Sequence, residues 1–193
     1  MTPMNASPTD DLQRAFASVE AIMRRVRPEQ WAGPTPCTDW STRQLVTHVV
    51  GMNRVFTAML TGAPLPQRET IPDHELVDAY MDSATQLVEA FSAPGVLEQE
   101  FTSPLGTATG TERINIRLYD LLAHGWDLAA ATGQPRSLPE DLCLQALSFA
   151  QQQLDPAYRP GRFAPAMPCR VGASAVEQLV AFLGRDPAWA LPG

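Results

Sequence analysis

Three residues of this chain have the types and the spacing of a metal site: His48, Asp120 and His124. Asp120 and His124 are four positions apart, so in a helix their side chains lie one turn apart on the same face. A neighbouring helix that contributes His48 would complete a set of two imidazole nitrogens and one carboxylate oxygen. Such a set of three leaves an open position for water or substrate, as catalytic zinc sites do.

The same residues have a second interpretation, which involves no metal. Asp120 could face water and His124 could be a hydrogen-bonded core histidine, because aspartate–histidine pairs at this spacing are frequent by chance. An aspartate in the middle of a helix is a poor helix former and is costly to bury alone. Burial of Asp120 would therefore require a cation or a metal ion. The spacing alone leaves both interpretations open.

The hydrophobic pattern places all three residues on helices, because apolar residues recur at steps of three and four between Gly and Pro stops. Helices are predicted over residues 9–27, from a capping box at Ser41 to Gly62, from a cap at Asp73 to Pro94, from Thr111 to Gly133, from Pro139 to Leu154, and from Ser174 to Gly184. The second helix carries His48, and the fourth carries the other two residues.

The segments between the helices show no strand pattern. Residues 96–110 lack strict alternation and are predicted to form a loop that crosses the bundle, and residues 155–172 are predicted to be irregular. The sequence thus predicts an all-α single domain over residues 1–193, in which four long helices form an antiparallel core and the last two helices pack outside it.

Composition narrows the possible partners. The 193 residues include 14 Lys and Arg against 21 Asp and Glu, a formal net charge of −7. Nucleic acids and anionic membranes require clustered cations, so we expect neither as a partner. There is no signal-like segment at the start and no apolar run of membrane-spanning length, so we expect a cytoplasmic protein. Cys37, Cys143 and Cys169 are expected to be reduced thiols.

Three segments together resemble one protein family. They are residues 34–51 (PTPCTDWSTRQLVTHVVG), residues 120–133 (DLLAHGWDLAAATG) and residues 182–189 (FLGRDPAW). In this order they are similar to the actinobacterial metal-binding family related to the N-terminal domain of mycothiol-dependent maleylpyruvate isomerase, within the DinB-like four-helix bundles. The three segments span nearly the whole chain, so the resemblance is specific.

The resemblance implies a DinB-like bundle of up-down-down-up topology with extra C-terminal helices. It also implies a divalent ion, usually zinc or nickel, bound to His48, Asp120 and His124. Asp120 stands where relatives have Glu or His, and its shorter reach would weaken or shift the site. The isomerase has a further C-terminal domain that contributes to its active site, and no segment of that length follows here, so we do not expect its isomerase activity.

Several classes of function remain open. One is an enzyme in which the metal activates a low-molecular-weight thiol such as mycothiol for transfer to an electrophilic substrate, since a Lewis acid lowers the pKa of a bound thiol. Another is a non-catalytic binding module that the metal stabilises, and a third is a helical scaffold without metal. We expect a small-molecule thiol or electrophile as the partner, and a homodimer is compatible with the sequence.

Four residues near the candidate ligands have two interpretations each. Cys37 lies in the Pro-rich loop before the second helix; it could approach the site, but a small buried apolar role is favoured. Asp127, on the same helical face as the candidate ligands, either orients a ligand or binds substrate, or it is simply solvated. Arg113 and Arg117 either counter a substrate carboxylate or thiol or pair with acidic residues on the surface.

The remaining aromatic and histidine residues favour structural roles. His74 lies at a predicted helix start, where an exposed imidazole is favoured over a metal ligand. Trp40 and Trp126 could stack a substrate, but aromatic residues at helical spacing more often belong to the core.

Overall fold

A computed structural model of the chain describes residues 7–67, 69–103, 106–154 and 163–191. Within these ranges the protein has six α-helices and one two-stranded antiparallel sheet. The helices are α1 (Pro8–Met23), α2 (Thr42–Thr61), α3 (Leu76–Phe91), α4 (Gly110–Ala131), α5 (Glu140–Gln153) and α6 (Ala175–Phe182), and the strands are β1 (Glu100–Ser103) and β2 (Gly106–Thr109). The protein is mostly helical, as the sequence predicts.

The prediction of a loop over residues 96–110 is wrong, because two short strands lie there, although the protein is mostly helical as predicted. β1 and β2 pair as a hairpin, in which Phe101 lies opposite Ala108 and is buried. Each strand has only four residues, which is too short to produce an alternation signal. The guanidinium of Arg113, at the start of α4, donates hydrogen bonds to the carbonyls of Phe101 and Gly106 and so fastens the hairpin to that helix.

Local sequence signals fix the starts of two helices. At α2 the hydroxyl of Ser41 accepts from the backbone N–H of Gln44, whose side chain accepts from the N–H of Ser41. Ser174 and Glu177 form the same reciprocal pair at α6. These capping boxes satisfy backbone donors that have no partner within the helix. The predicted starts of both helices are confirmed.

Two other predicted boundaries differ from the structure. α1 ends at Met23, four residues before the predicted end, and Arg27 is extended because it precedes Pro28. Asp73 does not cap α3, which begins three residues later after a short 3₁₀ turn. The carboxylate of Asp73 instead forms an ion pair with Arg43 of α2. The side chain of Asp73, which the local sequence predicts as the cap of α3, thus forms a tertiary contact instead.

Four helices share one core. α1 packs against α3 and α4, and α2 packs against the same two helices, while α5 and α6 pack against each other and against α4. Fully buried residues from all four central helices meet there: Leu12, Leu45, Leu87 and Leu121. The core therefore holds α2 and α4 side by side, which are the helices that carry the candidate ligands.

A glycine sets how closely α1 approaches α4. A Cβ built on Gly125 would lie 2.6 Å from the Cγ2 of Val19. That distance is too short for two carbon atoms, so the contact between the helices requires the missing side chain. Gly125 follows His124 directly, and the close contact thus anchors the part of α4 that carries this histidine.

Two further observations concern the rest of the chain. None of the helices in the described ranges has the length and apolar character needed to cross a membrane. Of the irregular segment predicted over residues 155–172, residues 163–172 contain neither helix nor strand, and residues 155–162 lie outside the described ranges.

Candidate metal centre

His48, Asp120 and His124 converge where α2 faces α4. One possible ligand atom from each residue lies within 4.8 Å of the other two. The Nε2 of His124 is 3.4 Å from the Oδ1 of Asp120, and the centroids of the two imidazole rings are 5.1 Å apart. Two imidazole nitrogens and one carboxylate oxygen are a donor set that suits zinc and related divalent ions.

The three side chains differ in their access to solvent. The side chain of His124 is 5% exposed, whereas that of Asp120 is 25% exposed. His48 is half-buried. The group thus lies at the margin of the core, and Asp120 and His48 are its more exposed members.

Arg117 holds Asp120 from inside the protein. Its side chain is fully buried, and its Nη1 donates a hydrogen bond to the Oδ2 of Asp120. Its Nε donates to the Oδ1 of Asn53 at 2.9 Å, and its Nη2 donates to the carbonyl of Val49 on α2. Because Oδ2 is occupied in this way, Oδ1 is the carboxylate oxygen that faces His124.

The two arginines are therefore interior residues. The sequence leaves Arg113 and Arg117 either against a substrate or paired with acidic residues on the surface. Arg117 does pair with an acidic residue, Asp120, but both arginines are buried. Arg113 is bound to the hairpin carbonyls, and Arg117 bridges α4 to α2. The burial of these two arginines is not predictable from the sequence, because arginine is ordinarily an exposed residue.

Asp127 holds the other nitrogen of His124. It is fully buried, and its Oδ2 is 3.0 Å from the Nδ1 of His124. An ionised carboxylate only accepts hydrogen bonds, so Nδ1 carries the proton and Nε2 is the nitrogen available for a metal. The guanidinium of Arg185 donates to the same oxygen at 3.0 Å. Of the two interpretations of Asp127, the structure favours the one in which it orients a ligand.

Cys37 and Arg185 complete the buried side of the centre. The thiol of Cys37 donates to the Oδ2 of Asp127 at 3.2 Å, and the Nη2 of Arg185 donates to the Cys37 sulfur at 3.3 Å. Cys37 is half-buried and has polar partners, so the apolar role favoured from sequence does not describe it. Sequence reasoning missed Arg185, although it lies within the third family-like segment, residues 182–189.

A second group of possible ligands shares one histidine with the first. Cys37, His124 and Asp127 also bring their donor atoms within 4.8 Å of one another. In this group, however, Asp127 is engaged by Arg185, and a metal would have to displace that cation. The group that contains His48 and Asp120 has no such competitor at Oδ1, and it is therefore the better site.

Aromatic residues near the centre divide between the site and the core. The ring centroid of Trp40 is 4.4 Å from that of His48 and 5.7 Å from that of His124, so the indole covers both imidazoles. Trp126 is fully buried, with the guanidinium of Arg136 5.0 Å from its ring centroid. His74 is 80% exposed in its side chain and lies outside the site.

The surroundings of the two histidines shift their pKa values in opposite directions. Burial lowers the pKa of His48 to about 4, so this imidazole is neutral at pH 7 and its lone pair is available. Burial also opposes the charge on His124, but Asp120 and Asp127 outweigh it and hold the pKa of His124 well above its usual value. Burial would raise the pKa of Asp120, yet the charges of His124 and Arg117 keep it below its usual range.

Comparisons with known proteins place the chain among relatives. The sequence profile described as the mycothiol maleylpyruvate isomerase N-terminal domain matches residues 12–129. Two uncharacterised proteins of Mycobacterium tuberculosis, from strains CDC 1551 / Oshkosh and ATCC 25618 / H37Rv, are each 39% identical to the chain over 175 residues, which is 90% of this chain and 94% of the relative. No solved structure matches the chain significantly. The resemblance predicted from the three segments is confirmed, and the chain belongs to the family of the mycothiol maleylpyruvate isomerase N-terminal domain.

Proposed function

We propose that this protein binds one divalent metal ion, zinc or nickel, through His48, Asp120 and His124, and that it is a thiol-dependent enzyme of transferase or isomerase type. The observation that carries the proposal is the convergence of three donor atoms within 4.8 Å on two packed helices. Membership of a mycothiol-related family supports the thiol as cosubstrate.

The residues around the donors support a metal site. Asp127 fixes the proton of His124 on Nδ1, which turns Nε2 toward Asp120. Arg117 occupies one oxygen of Asp120 and leaves the other free to bind a metal. Hydrogen bonds of this kind fix the orientation of metal ligands in known sites. We infer that Asp120 contributes a single oxygen.

The proposed reaction joins the sulfur of a thiol such as mycothiol to an electrophilic carbon. A divalent ion held by His48, Asp120 and His124 would supply a Lewis acid, which would lower the pKa of a thiol bound beside it. The thiol would release its proton to water, and its sulfur would add to one carbon of a double bond in the electrophile. The π bond would break in this addition, and the other carbon would take up a proton from water. Trp40 lies against the two imidazoles and contributes an apolar surface beside them.

An open site favours the enzyme over the binding module. Among the residues that the structure describes, the group contains three donors and no fourth protein ligand, and the side chain of Asp120 is 25% exposed. Structural zinc sites are closed by four protein ligands, whereas catalytic sites keep one position open. The arrangement therefore supports a catalytic role.

We propose two further properties. The packing of α1 and α2 against both α3 and α4 supports a DinB-like four-helix bundle of up-down-down-up topology, with α5 and α6 as the extra helices. The three cysteines are free thiols, which supports a location in the reducing cytoplasm.

Elemental analysis of tag-free protein tests the metal site. We expect about one divalent ion per chain for the unaltered protein, and loss of that ion in the double variant His48→Ala/His124→Ala, because a single carboxylate holds a metal poorly. The matched control is His74→Ala, which removes the exposed histidine outside the site and should keep the ion. Equal metal content in the double variant and the unaltered protein would contradict the assignment.

The variant Asp120→Asn separates a ligand from a general base. The loss of a charged oxygen should raise the metal dissociation constant, measured by competition with a chelator, if Asp120 is a ligand. An unchanged dissociation constant would reject the ligand role.

A further inference from the structure

A cavity of about 560 Å³ lies along one face of α2, beside His48. Its walls on this helix include Gln44, His48, Gly51 and Val55, which recur every three or four residues. The opposite wall comes from residues 66–67 and 69–71. Sites for small molecules and cofactors typically measure about 300 to 1,000 Å³, so the cavity has the size of a ligand site.

Gly51 keeps this cavity open. It lies in the middle of α2, where glycine costs about 0.5–1 kcal/mol relative to alanine. A Cβ built on Gly51 meets nothing within 4 Å, in contrast to Gly125, which is needed for a close helix contact. No packing constraint therefore accounts for Gly51. A side chain at position 51 would instead reduce the free space of the cavity, one turn along α2 from His48.

The walls combine apolar surface with two cations. Trp40, Met52 and Ile71 supply the apolar part. Arg43 and Arg54 supply guanidinium groups, and Glu69 is the acidic residue among the lining side chains. The lining thus combines apolar surface with two guanidinium groups, each of which has one carboxylate partner.

Both guanidinium groups keep donors for a ligand. Arg54 is paired with Glu69 at 2.9 Å, and Arg43 with Asp73, but each pair is partly exposed. A guanidinium has five N–H donors, so one carboxylate does not exhaust it. Arginine binds planar anions such as carboxylates particularly well. An organic anion with an apolar portion is the ligand that matches both parts of the wall.

We infer that this cavity binds the electrophilic substrate, that the substrate is a small organic anion with an apolar or aromatic portion, and that Gly51 limits the size of the molecule that reaches His48. The substrate assignment rests on the proposed function; the binding of such an anion in the cavity does not. Arg54 would hold the anionic group, and Trp40 would contact the apolar portion beside the two histidines.

Two fluorescent probes of the same framework test the inference on metal-loaded protein. 8-Anilino-1-naphthalenesulfonate carries an anionic group, and N-phenyl-1-naphthylamine lacks it. We expect the anion to bind saturably and more tightly than the neutral probe. Arg54→Gln should weaken binding of the anion about tenfold and leave the neutral probe unchanged, as expected for loss of one charged hydrogen bond. Gly51→Trp should weaken both probes at least tenfold by filling the cavity.

Two further variants serve as controls for the effect of Gly51→Trp. Leu144→Trp places an indole at an exposed position of α5, away from the cavity, and should bind both probes normally. Gly51→Leu is a second blocking variant in case Gly51→Trp is misfolded by circular dichroism. If both folded blocking variants bind the anion normally, the cavity is not its site. If the neutral probe binds as tightly as the anion and Arg54→Gln changes neither, the anionic class is wrong.

Metal content, measured on the same samples, separates this inference from the proposed function. An unaltered protein that binds the anionic probe in the cavity but takes up no divalent ion would refute the metal centre and leave the cavity inference standing. A protein that holds its ion while the blocking variants fail to affect the probe would refute the cavity inference alone.

Discussion

Each nitrogen of His124 has its own carboxylate, and the two carboxylates differ. Asp127 on the Nδ1 side is fully buried and is held by Arg185 and Cys37. Asp120 on the Nε2 side is partly exposed and approaches His48. A metal that enters from solvent therefore meets Nε2 and can replace the proton there, while the contacts at Nδ1 persist. The buried half of the network positions His124, and the more exposed half contains the proposed metal ligands.

Metal affinity should rise with pH. His48 has a pKa of about 4 and is neutral at pH 7, whereas the pKa of His124 lies well above its usual value. The metal must displace a proton from His124, so acid weakens binding, and affinity should increase about tenfold per pH unit until the pKa of His124 is passed. Chelator competition across the neutral range measures this slope.

The variant Asp127→Asn tests whether protonation of His124 causes the rise of metal affinity with pH. It removes a charge that helps to raise the pKa of His124, so the dependence on pH should level off at a lower pH than in the unaltered protein. Affinity that does not change with pH in the unaltered protein would show that His124 is not protonated before the metal binds.

At the scale of the elements, sequence predicts what is decided locally. The capping boxes at Ser41 and Ser174 involve residues three positions apart, and both helices begin where these signals place them. Arg113 fastens the hairpin of β1 and β2 to α4, and Asp73 forms its ion pair with Arg43, 30 positions earlier in the chain. Neither contact follows from hydrophobic periodicity or from a capping signal.

The same division applies to the centre itself. The pairing of Asp120 with His124 follows from helical spacing, and the addition of His48 follows from the family resemblance and from the packing of α2 on α4. By contrast, Cys37 and Arg185 are 148 residues apart in sequence and meet only in the fold. Spacing within one helix cannot reveal such a contact.

Two glycines in neighbouring helices should respond oppositely to the same substitution. Gly51→Ala should stabilise the protein by about 0.5–1 kcal/mol, because it improves α2 and enters open space. Gly125→Ala should destabilise it by about 1–3 kcal/mol, because the new methyl group would collide with Val19. Urea unfolding of both variants measures the two free energies. Adding Val19→Ala to Gly125→Ala should relieve the collision, and equal effects of the two glycine variants would contradict this explanation.

The whole molecule has one extensive hydrophobic core. Buried residues of all six helices belong to one continuous cluster, and the buried charges of Arg117 and Asp127 are paired with opposite charges. Paired buried charges avoid the large cost of isolated ones. The protein thus differs from small zinc domains that fold only with their ion. Metal binding should add to its stability without being required for the fold.

A bound metal ion should raise the melting temperature through mass action. An ion that binds the folded chain alone stabilises it by about 2.7 kcal/mol when its free concentration is 100 times the dissociation constant. For a chain of 193 residues, each kcal/mol raises the melting temperature by about 2–4 °C, so we expect a rise of about 5–11 °C. Circular dichroism melts of metal-free and metal-loaded protein measure it, with His48→Ala/His124→Ala as the variant that should melt alike in both. A rise of equal size in that variant would place the stabilising ion elsewhere on the chain.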